Sequence, residues 1–266
     1  HGQRATTAQK LLTSLAQKTH NQITWSIDID PAPGGATYKA QALVKIIEQM
    51  ISKRCPSDIR DSIKIRLLGW SQGGSEAMLA AALAPQRITS IACLCSTGLV
   101  QRSVGNLVSH FTIECTRIFS DASLRRNVSL PGAILFGADI MMGVAKDIIS
   151  TRSLACAWED LYDAARQVCG AHYGYRGDVL LVFAENDTVI RWGDAFPGCK
   201  YPEDVQIMLP EYKQKYFPQV RNLKIEILPG NHLAPEADAE RYIQTVLMSL
   251  DPIYHTTTAD ERAREK

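Results

Sequence analysis

Apolar residues recur along the chain at two spacings, and the alternation between the two predicts the architecture. From Ala8 to Lys18, Leu11, Leu12, Leu15 and Ala16 return at helical spacing. Ile23 to Ile29 reads as a strand, ended by the turn Asp30-Pro31-Ala32-Pro33-Gly34-Gly35. Tyr38 to Ser52 predicts a second helix with Ala42, Leu43, Ile46, Ile47 and Met50 on one face. Ile63 to Leu68 is a short buried strand, Ser75 to Ala84 a helix rich in Ala, Met and Leu, and Ile88 to Cys95 the next strand. Strands alternating with helices build a parallel sheet. The rhythm breaks over residues 97–176, which read as several helices joined by turns such as Leu130-Pro131-Gly132. It resumes with a strand from Asp178 to Phe183. A Pro-rich excursion follows (Pro197, Pro202, Pro210, Pro218), then a strand from Leu223 to Leu228 and a last helix from Pro235 to Leu250. The expected division is an α/β core in residues 1–96 and 177–250, a helical insertion at 97–176, and a polar tail at 251–266.

Composition narrows the function more than the fold. The 266 residues suffice for one large α/β domain, or a core with a lid. Net charge is +1, and no run of Lys and Arg is interleaved with aromatics, so nucleic acid is not an expected partner. Seven cysteines form no C-x-x-C pair and no Cys/His cluster at zinc spacing. The scattered set fits free thiols in a reducing compartment, with one or two disulfides left open. The histidines are dispersed and no acidic cluster has ligand spacing, so neither metal nor cofactor is expected. No uninterrupted apolar run reaches the ~18 residues of a membrane span. The greasiest stretch, Leu130 to Ala145, is broken by Asp139 and three glycines, and the first residues carry no signal-peptide pattern.

The chemistry begins at Gly69-Trp70-Ser71-Gln72-Gly73, a G-x-S-x-G pattern. It places a serine on a sharp strand-to-helix turn, where flanking glycines (Gly69 and Gly73) make room for backbone against backbone. The hydroxyl is then held at the carboxyl end of the sheet. The amide of Gln72, at a helix N-terminus, is aimed to donate to an oxyanion. Alone, the pattern arises by chance in roughly one chain of this size in ten, and a glycine-rich surface turn is the plain alternative. The apolar strand before it and the helix formers after it are what a nucleophile turn requires.

A serine hydroxyl needs a base, and the base an orienting carboxylate. Asp187 lies in the loop just past the strand Val179-Leu180-Leu181-Val182-Phe183, from which a carboxylate reaches the end of the sheet. Glu185 is its nearest rival, with a solvated loop charge as its ordinary role. His232, in Pro229-Gly230-Asn231-His232, lies between the last strand and the last helix. His110 and His172 precede the acid, and His255 lies in the tail, so His232 fits the order Ser, Asp, His.

The segments Leu68-Gly69-Trp70-Ser71-Gln72-Gly73-Gly74, Phe183-Ala184-Glu185-Asn186-Asp187-Thr188-Val189 and Gly230-Asn231-His232 resemble the three catalytic stretches of the α/β-hydrolase superfamily. Pro85-Gln86-Arg87-Ile88 resembles the segment after the nucleophile helix in members that carry a cap domain. The resemblance implies a serine nucleophile, a helical cap, and no cofactor. His1-Gly2 resembles the HG pair that supplies a second oxyanion donor, which here would be the backbone amide of Gln3. The strands that precede such a pair are absent, so either the chain lacks the first strands of the sheet or His1-Gly2 is unrelated. The turn after Asp30 departs from the D-x-P-G-x-G-x-S pattern of the superfamily.

The expected reaction is hydrolysis of a small carboxylic ester or thioester through an acyl-enzyme. An insertion lying over the site as a lid could line a lipophilic acyl pocket with Leu135, Phe136, Ile140, Met141, Met142, Val144, Trp158, Leu161 and Tyr162, residues that serve equally to pack a lid on a core. Two alternatives stand beside it: a C–C bond hydrolase, lyase or acyltransferase on the same triad, and a non-catalytic binding protein that keeps the fold.

Overall fold

A computed structural model of the chain describes residues 9–18, 24–27, 29, 34–120, 159, 162–165 and 174–250. Its described residues form one four-stranded sheet, β1 (Ile65–Trp70), β2 (Ile88–Leu94), β3 (Asp178–Ala184) and β4 (Asn222–Leu228), ordered β1-β2-β3-β4 with every neighbouring pair parallel. The helices are α1 (Gln9–Lys18), α2 (Gly35–Arg54), α3 (Gln72–Leu83), α4 (Val104–Ser120), α5 (Trp192–Ala195), α6 (Val205–Tyr216), α7 (Ala234–Ala237) and α8 (Ala239–Leu250).

The central strands are apolar on both faces because helices cover both. In β3, Val179, Leu181 and Phe183 join one buried cluster, while Leu180, Val182 and Ala184 join the other. That period of two is the strand's own geometry. The first cluster packs beneath α2, α3 and α6, the second beneath α1 and α8. Burying one such Leu or Phe side chain contributes about 1.5–3 kcal/mol, so β3 is an anchor for the loop that follows it.

Most expected elements appear with ends shifted by a few residues. Three differences stand out. Residues 24–27, inside the expected strand Ile23 to Ile29, carry no strand pairing. The Pro-rich excursion contains α6, a twelve-residue helix with Pro210 inside it. Its buried Val205 and Tyr212, with Phe196 and Phe217 packed on Tyr212, supply tertiary contacts that outweigh the lost backbone bond. The last helix is two pieces, since Asp238 leaves helical geometry between α7 and α8.

Of residues 97–176 between β2 and β3, where a helical insertion is expected, the structure describes 97–120, which include α4, with 159 and 174–176, and the segment 162–165. The latter segment is tied to the core at two points. Asp163 Oδ2 accepts from the amide of Ala36 in the first turn of α2 (3.1 Å), and the Ala165 carbonyl from the amide of Arg102 (2.8 Å). Among the described residues no helix is long and apolar enough to cross a membrane.

Candidate active site

Ser71 sits between the last residue of β1 and the first of α3, with φ 54° and ψ −121°. A side-chain-bearing residue at positive φ is strained, and the surrounding backbone holds it there. The Ser71 amide donates to Leu94 O (2.9 Å), and the Ser71 carbonyl accepts from the amides of Gly74 and Thr97 (both 3.1 Å). The glycine requirement is only half as expected. A Cβ on Gly69 would collide with the backbone of Gly73 and Gly74, but a Cβ on Gly73 would meet open space. The second crowded position is Gly74, whose Cβ would collide with the Ser96 side chain. Gly73 contributes its carbonyl to the crowding at Gly69, not a need to be glycine itself.

Two distant loops converge on this turn. The amides of Glu185 and Asn186 donate to Leu228 O and Gly230 O (both 2.8 Å), which binds the loop after β3 to the loop after β4. The Ser71 hydroxyl lies 3.0 Å from His232 Nε2, and His232 Nδ1 lies 2.8 Å from Asp187 Oδ2. His232 is fully buried and Asp187 is 3% exposed, whereas Ser71 is half-buried. A buried carboxylate is costly unless its lone pairs are used. Asp187 Oδ1 accepts from the amides of Val189 (2.7 Å) and Ile190 (2.9 Å), leaving Oδ2 for the imidazole. Glu185, the rival acid, is exposed.

His232 is held from three sides. Trp70, the residue before the serine, donates its indole N–H to the His232 carbonyl (3.1 Å, buried). Asn231 Oδ1 accepts from the Leu233 amide (3.0 Å), stiffening the turn that carries His232. Phe111 of α4 meets the imidazole edge-to-face, with ring centroids 6.2 Å apart. The Gln72 amide is the first of α3, where a backbone N–H has no acceptor within its own helix.

Sequence spacing alone does not reveal two further groups. Cys95, at φ 44° just past β2, joins Asp187 and His232 in a buried trio whose sulfur, oxygen and nitrogen lie within 4.8 Å of one another. The absence of a His/Cys motif at ligand spacing therefore misses a cluster assembled in space. Its atoms are already committed: imidazole and carboxylate share a hydrogen bond, and burial, reinforced by the neighbouring Asp187 charge, pushes the Cys95 thiol well above its ordinary pKa. A protonated thiol is a poor metal ligand and a poor nucleophile. The second group is Glu114, a fully buried carboxylate on α4 that contacts Thr188 beside the acid. An acidic residue in register with Leu107 and Phe111 on an otherwise apolar helix face is the signal that would have flagged it.

His1, Gly2 and Gln3 lie outside the described residues, as do His172, His255 and all the expected lid residues except Tyr162, which is exposed. Cys55, Cys95 and Cys199 are free thiols, and the Cys93 thiol donates to Gly74 O (3.6 Å).

No family model matches the chain. Structural comparison aligns it with a hydrolase from Pseudomonas aeruginosa PA01 over 94% of this chain and 86% of that one, at TM-score 0.57 and 14% identity. An esterase from Rhodococcus sp. ECU1013 aligns over 94% and 87% (TM-score 0.53, 13% identity). An epoxide hydrolase from Bacillus megaterium aligns over 91% and 88% (TM-score 0.53, 10% identity). The chain has the α/β-hydrolase fold. A curated protein, the dihydrolipoyllysine-residue acetyltransferase component of the acetoin cleaving system of Pseudomonas putida, is 26% identical over 163 residues. That match takes in 58% of this chain and 41% of the length of that protein.

Proposed function

We propose that this chain is a serine hydrolase that cleaves a carboxylic ester or thioester through an acyl-enzyme on Ser71. The observation that carries the reading is the unbroken relay from the Ser71 hydroxyl to His232 (3.0 Å) and from His232 to Asp187 (2.8 Å). Fold alone would not choose among reactions, since a hydrolase, an esterase and an epoxide hydrolase share it.

In this mechanism His232 Nε2 takes the proton of Ser71 as its oxygen attacks the carbonyl carbon. Asp187 fixes the imidazole with Nδ1 protonated and stabilises the imidazolium that forms. The Gln72 amide donates to the developing oxyanion. Collapse expels the alcohol or thiol, which takes the proton from His232. The imidazole then activates a water, and the acid is released. The strained backbone at Ser71 fits this role, because it holds the hydroxyl out toward the imidazole instead of against its own helix.

An acyltransferase shares every step to the acyl-enzyme and differs only in the acceptor. The relative named as an acetyltransferase component keeps that reading beside hydrolysis. A panel of p-nitrophenyl esters and acyl thioesters of graded length, with and without an added thiol acceptor, tests both. The hydrolase reading expects release of free acid whose rate varies with acyl length. Rates that are flat across the panel contradict a lipophilic acyl pocket, and product carried wholly by the added thiol contradicts hydrolysis.

A further inference from the structure

The acid loop is held by two carboxylates, and the triad accounts for one of them. Three consecutive amides leave this loop. Those of Val189 and Ile190 go to Asp187 Oδ1, and that of Thr188 goes to Glu114 Oε1 (3.0 Å). The same oxygen also accepts the Thr188 hydroxyl at 2.6 Å. Glu114 comes from α4, 74 residues earlier in the chain, and is fully buried. Arg117, whose side chain is 44% exposed, donates from Nη1 to the same Oε1 at 3.4 Å. The other oxygen, Oε2, is buried with no hydrogen-bond partner among the described residues.

A leucine would pack this helix face without the desolvation of a polar group, so a buried side chain with oxygen acceptors here calls for a role beyond packing. Residues 107, 111 and 114 share one helix face, and two of them reach the proposed triad: Phe111 meets His232, and Glu114 meets the residue after Asp187. Without Glu114, the Thr188 amide would be free to compete for Asp187 or to turn its peptide away, and the Asp187 side chain would lose its fixed aim at Nδ1.

We propose that Glu114 is a positioning residue: it pins Thr188 so that the Asp187 carboxylate presents Oδ2 to His232, and through it α4 couples the insertion to the reacting groups. This rests on the reading of Ser71, His232 and Asp187 as a triad.

The test uses Glu114→Ala, Glu114→Gln and Thr188→Val in the full chain. One readout is steady-state hydrolysis of p-nitrophenyl butyrate, and the other is the far-downfield proton NMR signal of His232 Nδ1–H. Glu114→Ala is expected to lower kcat about 10- to 100-fold with KM within about twofold, and to broaden or remove the downfield proton. Glu114→Gln, which keeps an oxygen for Thr188, is expected to restore kcat to within about threefold of wild type and to restore the proton. Thr188→Val removes the hydroxyl, is expected to fall between the two, and should add little on top of Glu114→Ala because both act through one contact. Unchanged kcat and an unchanged downfield proton in Glu114→Ala would overturn the proposal, as would a loss confined to KM or to Tm. If Glu114→Ala does not fold, Thr188→Val decides, and a wild-type kcat there also overturns it. A wild-type chain that hydrolyses no ester would defeat the hydrolase reading, while the downfield proton in Glu114→Ala against Glu114→Gln would still decide the role of Glu114.

Discussion

The two ends of β3 each carry an aspartate, and the two are held in opposite ways. Asp178, at the start of the strand, accepts from Arg221 Nε and Asn222 Nδ2 (both 2.8 Å) near the surface. The Arg221 guanidinium holds its carboxyl below the usual carboxylate range. Asp187, three residues past the other end, is buried and held by backbone amides and an imidazole. The first is an ordinary ion pair whose worth is screened by solvent. The second is a charge taken out of water and aimed, which a fold maintains where electrostatics are put to use. One strand thus separates an end held by a surface ion pair from the end whose carboxylate is proposed to act on His232.

The largest effect should come from the buried end. Asp187→Asn keeps an oxygen for the amides of Val189 and Ile190 but removes the charge facing the imidazole, and should lower kcat by about 10⁴-fold. A kcat within tenfold of wild type, by steady-state assay, would mean that the carboxylate has no orienting role. Next come the glycines of the nucleophile turn at the same end of the sheet. Gly69→Ala should cost about 3 kcal/mol or more, because the new methyl meets backbone that cannot yield. Gly73→Ala, inside α3 and facing open space, should stay within about 1 kcal/mol of wild type and on the stabilising side. Equal losses in denaturant unfolding would break that distinction. The smallest effect belongs to the far end: Asp178→Asn should leave kcat unchanged and lower Tm by about 2 °C at neutral pH. Because the folded-state pKa of Asp178 is depressed, its contribution is present above the ordinary carboxylate value of about 3.9 and is lost as pH falls through the folded value. The thermal-melt curves of variant and wild type should therefore converge in acid. A gap that widens in acid would reverse the sign of this linkage.

How legible these ends were depends on whether their contacts are local. The turn at Ser71 is written in consecutive residues: an apolar strand, Gly69, Ser71, then helix formers. β1 to β4 follow from apolar runs with ends shifted by one or two residues. Asp187 and His232 are legible only as positions, each just past a strand of a parallel sheet. Their approach depends on bonds between residues 45 and 161 apart that no spacing encodes. Gly74 escaped notice because its crowding comes from Ser96, beyond β2. α6 was hidden by Pro210, whose local penalty is visible in sequence while the aromatic packing that offsets it is not. Glu114 stands out in the sequence as an acid on an apolar helix face, but what it meets does not. Its partner Thr188 lies across the insertion, and only the folded chain brings them together.

The account stands on Ser71 being a nucleophile activated through His232. Incubation of the folded chain with a fluorophosphonate probe, followed by intact-mass and peptide analysis, measures that most directly. The prediction is one covalent adduct, mapped to Ser71, that is absent in Ser71→Ala and strongly slowed in Asp187→Asn. A folded chain that takes up no probe, or that carries the adduct on another residue, would contradict it.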